Sequence, residues 1–153
     1  MTKNNHTYFM NEALKEANKA LLKNEVPVGA IVVIDGKIVS RAHNLREIKQ
    51  DFSCHAEFLA LQKAAKKIGS WRLEDASVYV TLEPCPMCAG AMIQSRVKNL
   101  YYGAKDPKTG AVESVIRLLD ERFNHQIHYE GDILSLKSSN LLKSFFKKLR
   151  KKD

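Results

Sequence analysis

The chain has 153 residues, and its 25 Lys and Arg against 17 Asp and Glu give a formal net charge of +8. This length fits a single domain with one core, so we expect residues 1–153 to form one unit. No segment approaches the roughly 20 apolar residues of a membrane span, and the first residues lack the apolar core of a secretory signal.

The first half of the chain predicts a helix, a hairpin and a second helix from its pattern of apolar residues. Asp35-Gly36 separates two apolar segments and is a strong hairpin signal. Gly69 is typical of a residue that ends a helix. The helices are expected over Tyr8–Leu22 and His55–Ile68, and the hairpin over 30–41.

The second half alternates strands and helices. This order is typical of a right-handed parallel crossover core, to which the hairpin adds antiparallel edge strands. We therefore expect a five-stranded mixed sheet. The predicted strands are Ser77–Thr81, Asn99–Ala104 and Gln126–Glu130, and the predicted helices are Pro86–Gln94 and Ile133–Leu149.

Two short segments carry most of the chemistry, His55-Ala56-Glu57 and Pro84-Cys85-Pro86-Met87-Cys88. Zinc favours tetrahedral nitrogen and sulfur ligands, and a catalytic site offers three protein ligands and an open fourth position. Cys85 and Cys88 lie on one face of a helix start, where the helix dipole favours thiolates. We expect both, together with His55, to hold one Zn²⁺. With two of three cysteines so assigned, a reducing cytoplasm is the expected compartment.

The residue Glu57 is left free to move protons. His-x-Glu followed by Pro-Cys-x-x-Cys is the signature of zinc-dependent nucleobase deaminases. Zinc lowers the pKa of a bound water to about 7, and Glu57 would pass its proton to a ring nitrogen and the departing amine. The alternative is a closed structural site with a fourth ligand. Cys54 is the only other cysteine, and its position beside His55 gives it poor reach to the same ion.

With both motifs placed, the sequence resembles the bacterial tRNA-specific adenosine deaminases of the cytidine deaminase-like superfamily. The resemblance extends over roughly Tyr8 to Arg150. Its most specific matching segments are 25–30, 42–44, 55–57, 79–91, 102–110 and 123–125.

This resemblance implies a cytidine deaminase-like three-layer α/β/α sandwich with a central five-stranded mixed sheet, forming a single zinc-dependent deaminase domain over 1–153. It implies hydrolytic deamination of adenosine to inosine at the wobble position of an arginine tRNA anticodon. It also implies one Zn²⁺ per subunit, held by His55, Cys85 and Cys88, with Glu57 as the proton shuttle. A homodimer that binds the tRNA anticodon stem-loop is the expected active form.

The same resemblance suggests five substrate-binding residues. Asn44 would hydrogen-bond the flipped base with Val32 packing near it, and Asp106 would contact the backbone or ribose. Phe145 and Arg150 of the last helix would contact the stem-loop. By local chemistry alone, Asn44 and Asp106 are ordinary turn residues, and phenylalanines at helical spacing are typical of a core.

Two departures from the family pattern lie just before the zinc histidine. Cys54 stands where alanine is common, and Phe52-Ser53 replaces a proline-threonine pair. We expect Cys54 to pack as alanine would, the alternative being competition for the metal. We also expect Trp71, and at least one of Phe145 and Phe146, to lie in the core.

Two other functions fit the zinc motif. One is a deaminase of a free base or nucleoside on the same fold, and the other is a non-catalytic zinc-stabilised binding module. The basic last helix favours RNA, because a free base gains nothing from a cationic surface. The binding module leaves Glu57 without a purpose, and the terminal charges could equally be a solvated face.

Overall fold

The structure is a computed structural model, and it describes residues 3–152. Met1, Thr2 and Asp153 of the expected domain therefore lie outside the described residues. The helices are α1 (Lys3–Leu22), α2 (Arg46–Lys49), α3 (Ala56–Ile68), α4 (Pro86–Gln94) and α5 (Ser135–Lys152), with a 3₁₀ turn at Leu118–Asp120. The strands are β1 (Gly29–Ile34), β2 (Lys37–His43), β3 (Ala76–Leu82), β4 (Asn99–Ala104) and β5 (His128–Glu130).

The five strands form one mixed sheet in the order β2-β1-β3-β4-β5. Strand β1 pairs antiparallel with both β2 and β3, whereas β4 pairs parallel with both β3 and β5. The predicted five-stranded mixed sheet is confirmed. The expectation that both hairpin strands lie at the edge is wrong for β1, whose residues are buried on both faces and need a neighbour on each side.

Helices cover both faces of the sheet. Residues alternate between the faces of a strand, so Val32 and Val78 join the apolar cluster under α3 and α4. Ile31, Val33 and Tyr79 join the cluster under α1 on the opposite face, and α5 lies on that face beside α1. The expected three-layer α/β/α sandwich is confirmed.

This topology gathers three chain segments at one edge of the sheet. Strand β2 runs in the same direction as β3, because each is antiparallel to β1, and β4 is parallel to β3. The carboxyl ends of β2, β3 and β4 therefore meet, and ligand sites in such sheets lie outside those ends. Asn44, Cys85 and Lys105 follow these strands closely.

Most element boundaries agree with the sequence prediction to within a few residues. Gly69 ends α3 in the left-handed conformation with φ 75°, as expected. Helix α2 and the 3₁₀ turn were not predicted, because three or four residues are too few to show a helical period. Strand β5 has three residues instead of the predicted five.

Two predictions about aromatic residues are wrong. Trp71 is 55% exposed, and the Arg72 guanidinium lies over its ring. Neither Phe145 nor Phe146 is among the buried core residues of the described chain. Helix α5 packs on the sheet through its first half, where Leu141 reaches the apolar cluster, and its later turns extend past that contact.

Within 3–152, no helix has the length and apolar character required to cross a membrane.

Helix α1 lies unusually close to β1 at Gly29, which generates a stability prediction. A Cβ there would come within 2.1 Å of the Ala13 carbonyl oxygen and 2.4 Å of the Ala17 amide nitrogen. Gly29→Ala should therefore lower the free energy of unfolding by about 3 kcal/mol or more, as over-packing does. Gly36→Ala is the control, because Gly36 has φ 74° but open space, and should cost only about 1 kcal/mol. Equal losses in urea unfolding would contradict the close packing.

Candidate metal centre and substrate cavity

Three side chains converge at the amino ends of two helices. His55 is the residue before α3, and Cys85 is the residue before α4, where Pro86 fits the first helical position. The Nδ1 atom of His55 lies 3.6 Å from Sγ of Cys85 and 3.6 Å from Sγ of Cys88. Tetrahedral zinc, with bonds of about 2.3 Å to sulfur and about 2.0 Å to nitrogen, needs nearly this separation.

The two thiols and the imidazole shift one another's pKa through hydrogen bonds. Hydrogen bonds from Cys88 and His55 lower the pKa of Cys85 to about 4 against the opposing effect of burial. The hydrogen bond with Cys85 and burial both raise the pKa of Cys88, and the hydrogen bond with Cys85 raises the pKa of His55. A divalent cation would allow both thiols to be thiolates. The donor set therefore fits a zinc ion.

The carboxyl group of Glu57 lies beside this centre in the first turn of α3. Glu57 is only 4% exposed, and burial raises the pKa of its carboxyl group from 4.5 to about 7. Glu57 is not one of the three donor residues whose atoms all lie within 4.8 Å of one another. A carboxyl group that titrates near neutral pH suits both acceptance and donation of a proton.

A cavity of about 530 Å³ is lined by two of the three donors, His55 and Cys85. This volume lies in the range of small-molecule sites, and a nucleobase is small enough to enter it. Its walls come from the loop after β2, the loop after β4 and one side of α5. The main lining residues are His55, Glu57 and Cys85, then Asn44 and Arg46, then 105–109, and finally Leu142 and Phe146.

The amide of Asn44 is fixed at the cavity wall. Its Nδ2 donates to the Val26 carbonyl at 3.2 Å, and its Oδ1 accepts from the Arg46 amide at 3.1 Å. An amide group has two donors and two acceptor sites, so each end keeps one for a ligand. Asn44 thus has the turn geometry that local chemistry suggests and also faces the cavity.

The carboxylate of Asp106 caps a turn within the cavity wall. Its Oδ1 accepts from the amides of Lys108 at 3.0 Å and Thr109 at 3.2 Å, and its Oδ2 accepts from the Thr109 hydroxyl at 2.7 Å. The ordinary turn role is therefore present. Contact with a nucleic acid backbone or ribose stays a prediction for this residue.

The remaining predicted substrate residues are placed differently. Val32 is fully buried under α3 and α4 and does not line the cavity. Helix α5 brings Phe146 to the cavity wall, and Phe145 is not among the lining residues. Arg150 lies in an adjoining groove of about 370 Å³ with Lys108, Leu142, Lys143 and Phe146.

Cys54 is buried with 8% exposure and lies outside the donor group, as the packing interpretation expects.

The sequence did not predict Arg46, Lys105 and Lys108 at the rim of the cavity, or the buried Glu83 in the cavity wall. Exposed cations on loops have no periodic signal that would identify them. Glu83 had one usable signal, namely a charged residue at the end of an otherwise apolar strand segment.

Comparisons with known proteins agree with this geometry. The family model described as MafB19-like deaminase matches residues 4–150. The tRNA-specific adenosine deaminase of Bacillus subtilis is 52% identical over 145 residues, covering 94% of this chain and 90% of that protein. The protein of the same name from Aquifex aeolicus is 46% identical over 144 residues, covering 94% of this chain and 95% of that protein.

Solved structures match the fold as well. A structure from a study of A-to-I editing by tRNA:A34 deaminases at the wobble position of transfer RNA has a TM-score of 0.86 and 41% identity, covering 89% of this chain and 99% of that one. A guanine deaminase from Nitrosomonas europaea has a TM-score of 0.81 at 20% identity, covering 91% and 83%. The second likeness concerns the fold alone.

The raised pKa of Glu57 predicts how the metal-free protein responds to pH. The folded state holds this proton more tightly than the unfolded state, so stability present below pH 4.5 is lost as pH rises through about 7. Replacement Glu57→Gln removes the titration. In urea unfolding with a chelator, the free energy of unfolding of the variant should rise relative to that of the wild type between pH 4 and pH 8. A constant difference between the two proteins over this range would contradict the burial of an ionisable Glu57.

Proposed function

Because this chain belongs to the MafB19-like deaminase family and, within it, to the bacterial tRNA-specific adenosine deaminases, we propose that it converts adenosine to inosine at the wobble position of a tRNA anticodon. An arginine tRNA is the proposed substrate, on the strength of the family resemblance. The observation that carries the proposal is the group of one imidazole and two thiols beside the buried carboxyl of Glu57, at a cavity large enough to admit a nucleobase.

The proposed ligands of the metal are His55, Cys85 and Cys88, with one Zn²⁺ per subunit. A zinc ion bound there would lower the pKa of a water to about 7 and so supply the nucleophile. Two of the proposed ligands, His55 and Cys85, line the same cavity as Glu57 and Asn44. The substrate would therefore meet the metal and the carboxyl group on the same side.

The residue Glu57 is proposed to carry the protons. Its carboxylate accepts one proton from the attacking water and passes it to a ring nitrogen of adenine. It then takes the second water proton, from the hydroxyl group now bonded to carbon, and delivers it to the departing amine, which leaves as ammonia. Adenosine and water then give inosine and ammonia, which balances the reaction. The free hydrogen-bonding sites of the Asn44 amide hold the edge of the flipped base. A base in an anticodon loop is unpaired, which lowers the cost of flipping it.

Charge around the cavity supports RNA over a free base. Arg46, Lys105 and Lys108 line the cavity, and Lys143 and Arg150 continue the positive surface along α5. A free base carries no phosphate that these cations could neutralise, whereas an anticodon stem-loop presents several. The tRNA substrate also makes the cytoplasm the proposed compartment.

Incubation with arginine tRNA tests the function directly. Purified protein should convert A34 of an arginine tRNA to inosine, detected by nucleoside analysis, and should leave free adenosine, cytidine and guanine unchanged. Inosine should be absent when the same tRNA carries G at the wobble position. Turnover of a free base without turnover of the tRNA would overturn the RNA assignment in favour of a small-molecule deaminase.

Matched variants separate the roles of ligand and proton shuttle. Glu57→Gln should keep about one zinc per chain, because Glu57 is not one of the three donors, but should lose nearly all deamination, because Glu57 is the cavity residue proposed to carry the protons. Cys85→Ser should lose zinc and deamination together. Loss of zinc from Glu57→Gln would instead make Glu57 a ligand of a closed structural site.

The groove along α5 predicts a salt effect. The double variant Lys143→Gln, Arg150→Gln should weaken binding of the anticodon stem-loop, and the slope of log affinity against log salt should fall by about 0.7 for each phosphate that the variant no longer neutralises. Lys66→Gln, Lys67→Gln at the exposed end of α3 is a control with the same change of charge. If both double variants keep the wild-type slope, the terminal charges are only a solvated face.

We also propose that the protein acts as a homodimer. The resemblance suggests it, and an apolar groove of about 550 Å³ between α3 and α4 supports it. Phe58, Trp71 and Met87 line this groove, and Trp71 is 55% exposed. Sedimentation equilibrium of Trp71→Ser should show a dimer dissociation constant raised by about tenfold or more. Leu22→Ser, at another exposed apolar residue, should leave the dissociation constant unchanged, and a wild-type monomer would refute the dimer.

A further inference from the structure

Glu83 is a buried carboxylate to which the proposed reaction gives no role. It is 2% exposed, lies two residues before Cys85 and reaches the cavity wall. Within residues 3–152, the five hydrogen bonds that its carboxylate accepts all come from the loop after β4. Its Oε1 accepts from the Asp106 amide at 3.0 Å and the Ser114 hydroxyl, and its Oε2 accepts from the amides of Val112 at 3.1 Å, Glu113 at 2.8 Å and Ser114 at 2.9 Å.

The loop after β4 stabilises the buried charge of Glu83 through hydrogen-bond donors. Within residues 3–152, no Lys or Arg forms an ion pair with it. Amide groups therefore compensate the buried charge, and a buried carboxylate without them would be strongly destabilised. The loop also closes tightly around the carboxylate. A Cβ on Gly110 would lie 2.4 Å from Cδ of Glu83 and 2.6 Å from the Asp106 carbonyl oxygen.

The same loop forms one wall of the substrate cavity. Asp106 begins the turn 106–109, and its own carboxylate closes that turn through Lys108 and Thr109. The Glu83 Oε1 holds the Asp106 amide, so it fixes the first residue of the turn. At the other end, the Ala111 amide donates to the Pro84 carbonyl at 2.8 Å. The cavity wall is thus joined at two points to the segment that carries Cys85.

We propose that Glu83 is a positioning residue, which fixes the 105–109 wall of the cavity relative to the metal centre and thereby sets how the substrate nucleotide is held. The identity of that substrate rests on the proposed function. We call the hydrogen bonds from residues 106–114 to the Glu83 carboxylate the clamp. The clamp is supported by these contacts alone and does not depend on the substrate. Glu83 makes no contact with the reacting atoms in this role, and Glu57 keeps the proton transfers.

The isosteric change Glu83→Gln tests the clamp selectively. The remaining oxygen can face the three amides of Val112, Glu113 and Ser114, and the Ser114 hydroxyl can turn to accept from the new NH₂ group. The Asp106 amide would then face another donor. Amide exchange at Asp106 should become about tenfold faster, since a hydrogen bond to a charged group is worth at least that factor. Glu12→Gln, another buried carboxylate that pairs with Lys15 and Arg41, should leave Asp106 exchange unchanged.

Kinetics distinguish positioning from a merely structural role. With zinc content unchanged, Glu83→Gln should raise KM for an anticodon stem-loop about tenfold and change kcat less than about threefold. Asp106→Ala should raise KM through the same wall, so the double variant should be little worse than the poorer single variant. Gly110→Ala keeps every charge but pushes on the Glu83 carboxylate, and it should reproduce the rise in KM.

Three results would overturn the clamp. They are unchanged exchange at Asp106 in Glu83→Gln, a fall in kcat at constant KM, and multiplying effects of Glu83→Gln and Asp106→Ala. If Glu83→Gln does not fold, Gly110→Ala decides by the same measurements. The wild-type protein on tRNA decides the proposed function separately. Inactive wild type with fast Asp106 exchange in the variant would reject the proposed function and keep the clamp.

Discussion

The whole site depends on the way β1 is paired. Because β1 is antiparallel to both β2 and β3, and β4 is parallel to both β3 and β5, four strands (β2, β3, β4 and β5) end at one edge of the sheet. Helix α4 starts shortly after β3 ends, and α3 packs against α4 on the same face. Their two amino ends therefore point at one place, which brings the imidazole of His55 to 3.6 Å from each thiol.

Two buried carboxyl groups near that place have opposite environments. Burial dominates at Glu57 and raises its pKa to about 7. At Glu83 burial also raises the pKa, but hydrogen bonds led by the Glu113 amide outweigh it and lower the pKa below its usual range. The first environment suits a group that must gain and lose a proton, and the second suits a group that must stay charged. In the proposed roles, the glutamate at position 57 transfers protons, and the glutamate at position 83 fixes the loop after β4.

The sequence predicted most of the elements well, and the three candidate metal donors that it indicated do lie together in the structure, because both leave local signals. A helical stripe of apolar residues indicates α1, largely apolar segments indicate α3 and β3, and the spacing of Cys85 and Cys88 is typical of two ligands of one metal ion. The sequence-based prediction of buried residues failed where burial depends on packing between distant parts of the chain. Trp71 and Phe146 look like core residues by composition, yet α5 runs past the sheet and Trp71 lies on the rim of an open groove. The five donors to Glu83 lie 23 to 31 residues away, beyond any local pattern.

His55, Cys85 and Cys88 are the proposed ligands of one zinc ion, and Glu57 is proposed to stay off the metal. X-ray absorption at the zinc edge of the purified protein tests this assignment most directly. We predict two sulfur ligands at about 2.3 Å, one imidazole nitrogen at about 2.0 Å and one further light ligand from water, with the same protein ligands in Glu57→Gln. A fourth protein ligand, a third sulfur from Cys54, or a changed protein ligand set in Glu57→Gln would contradict the account.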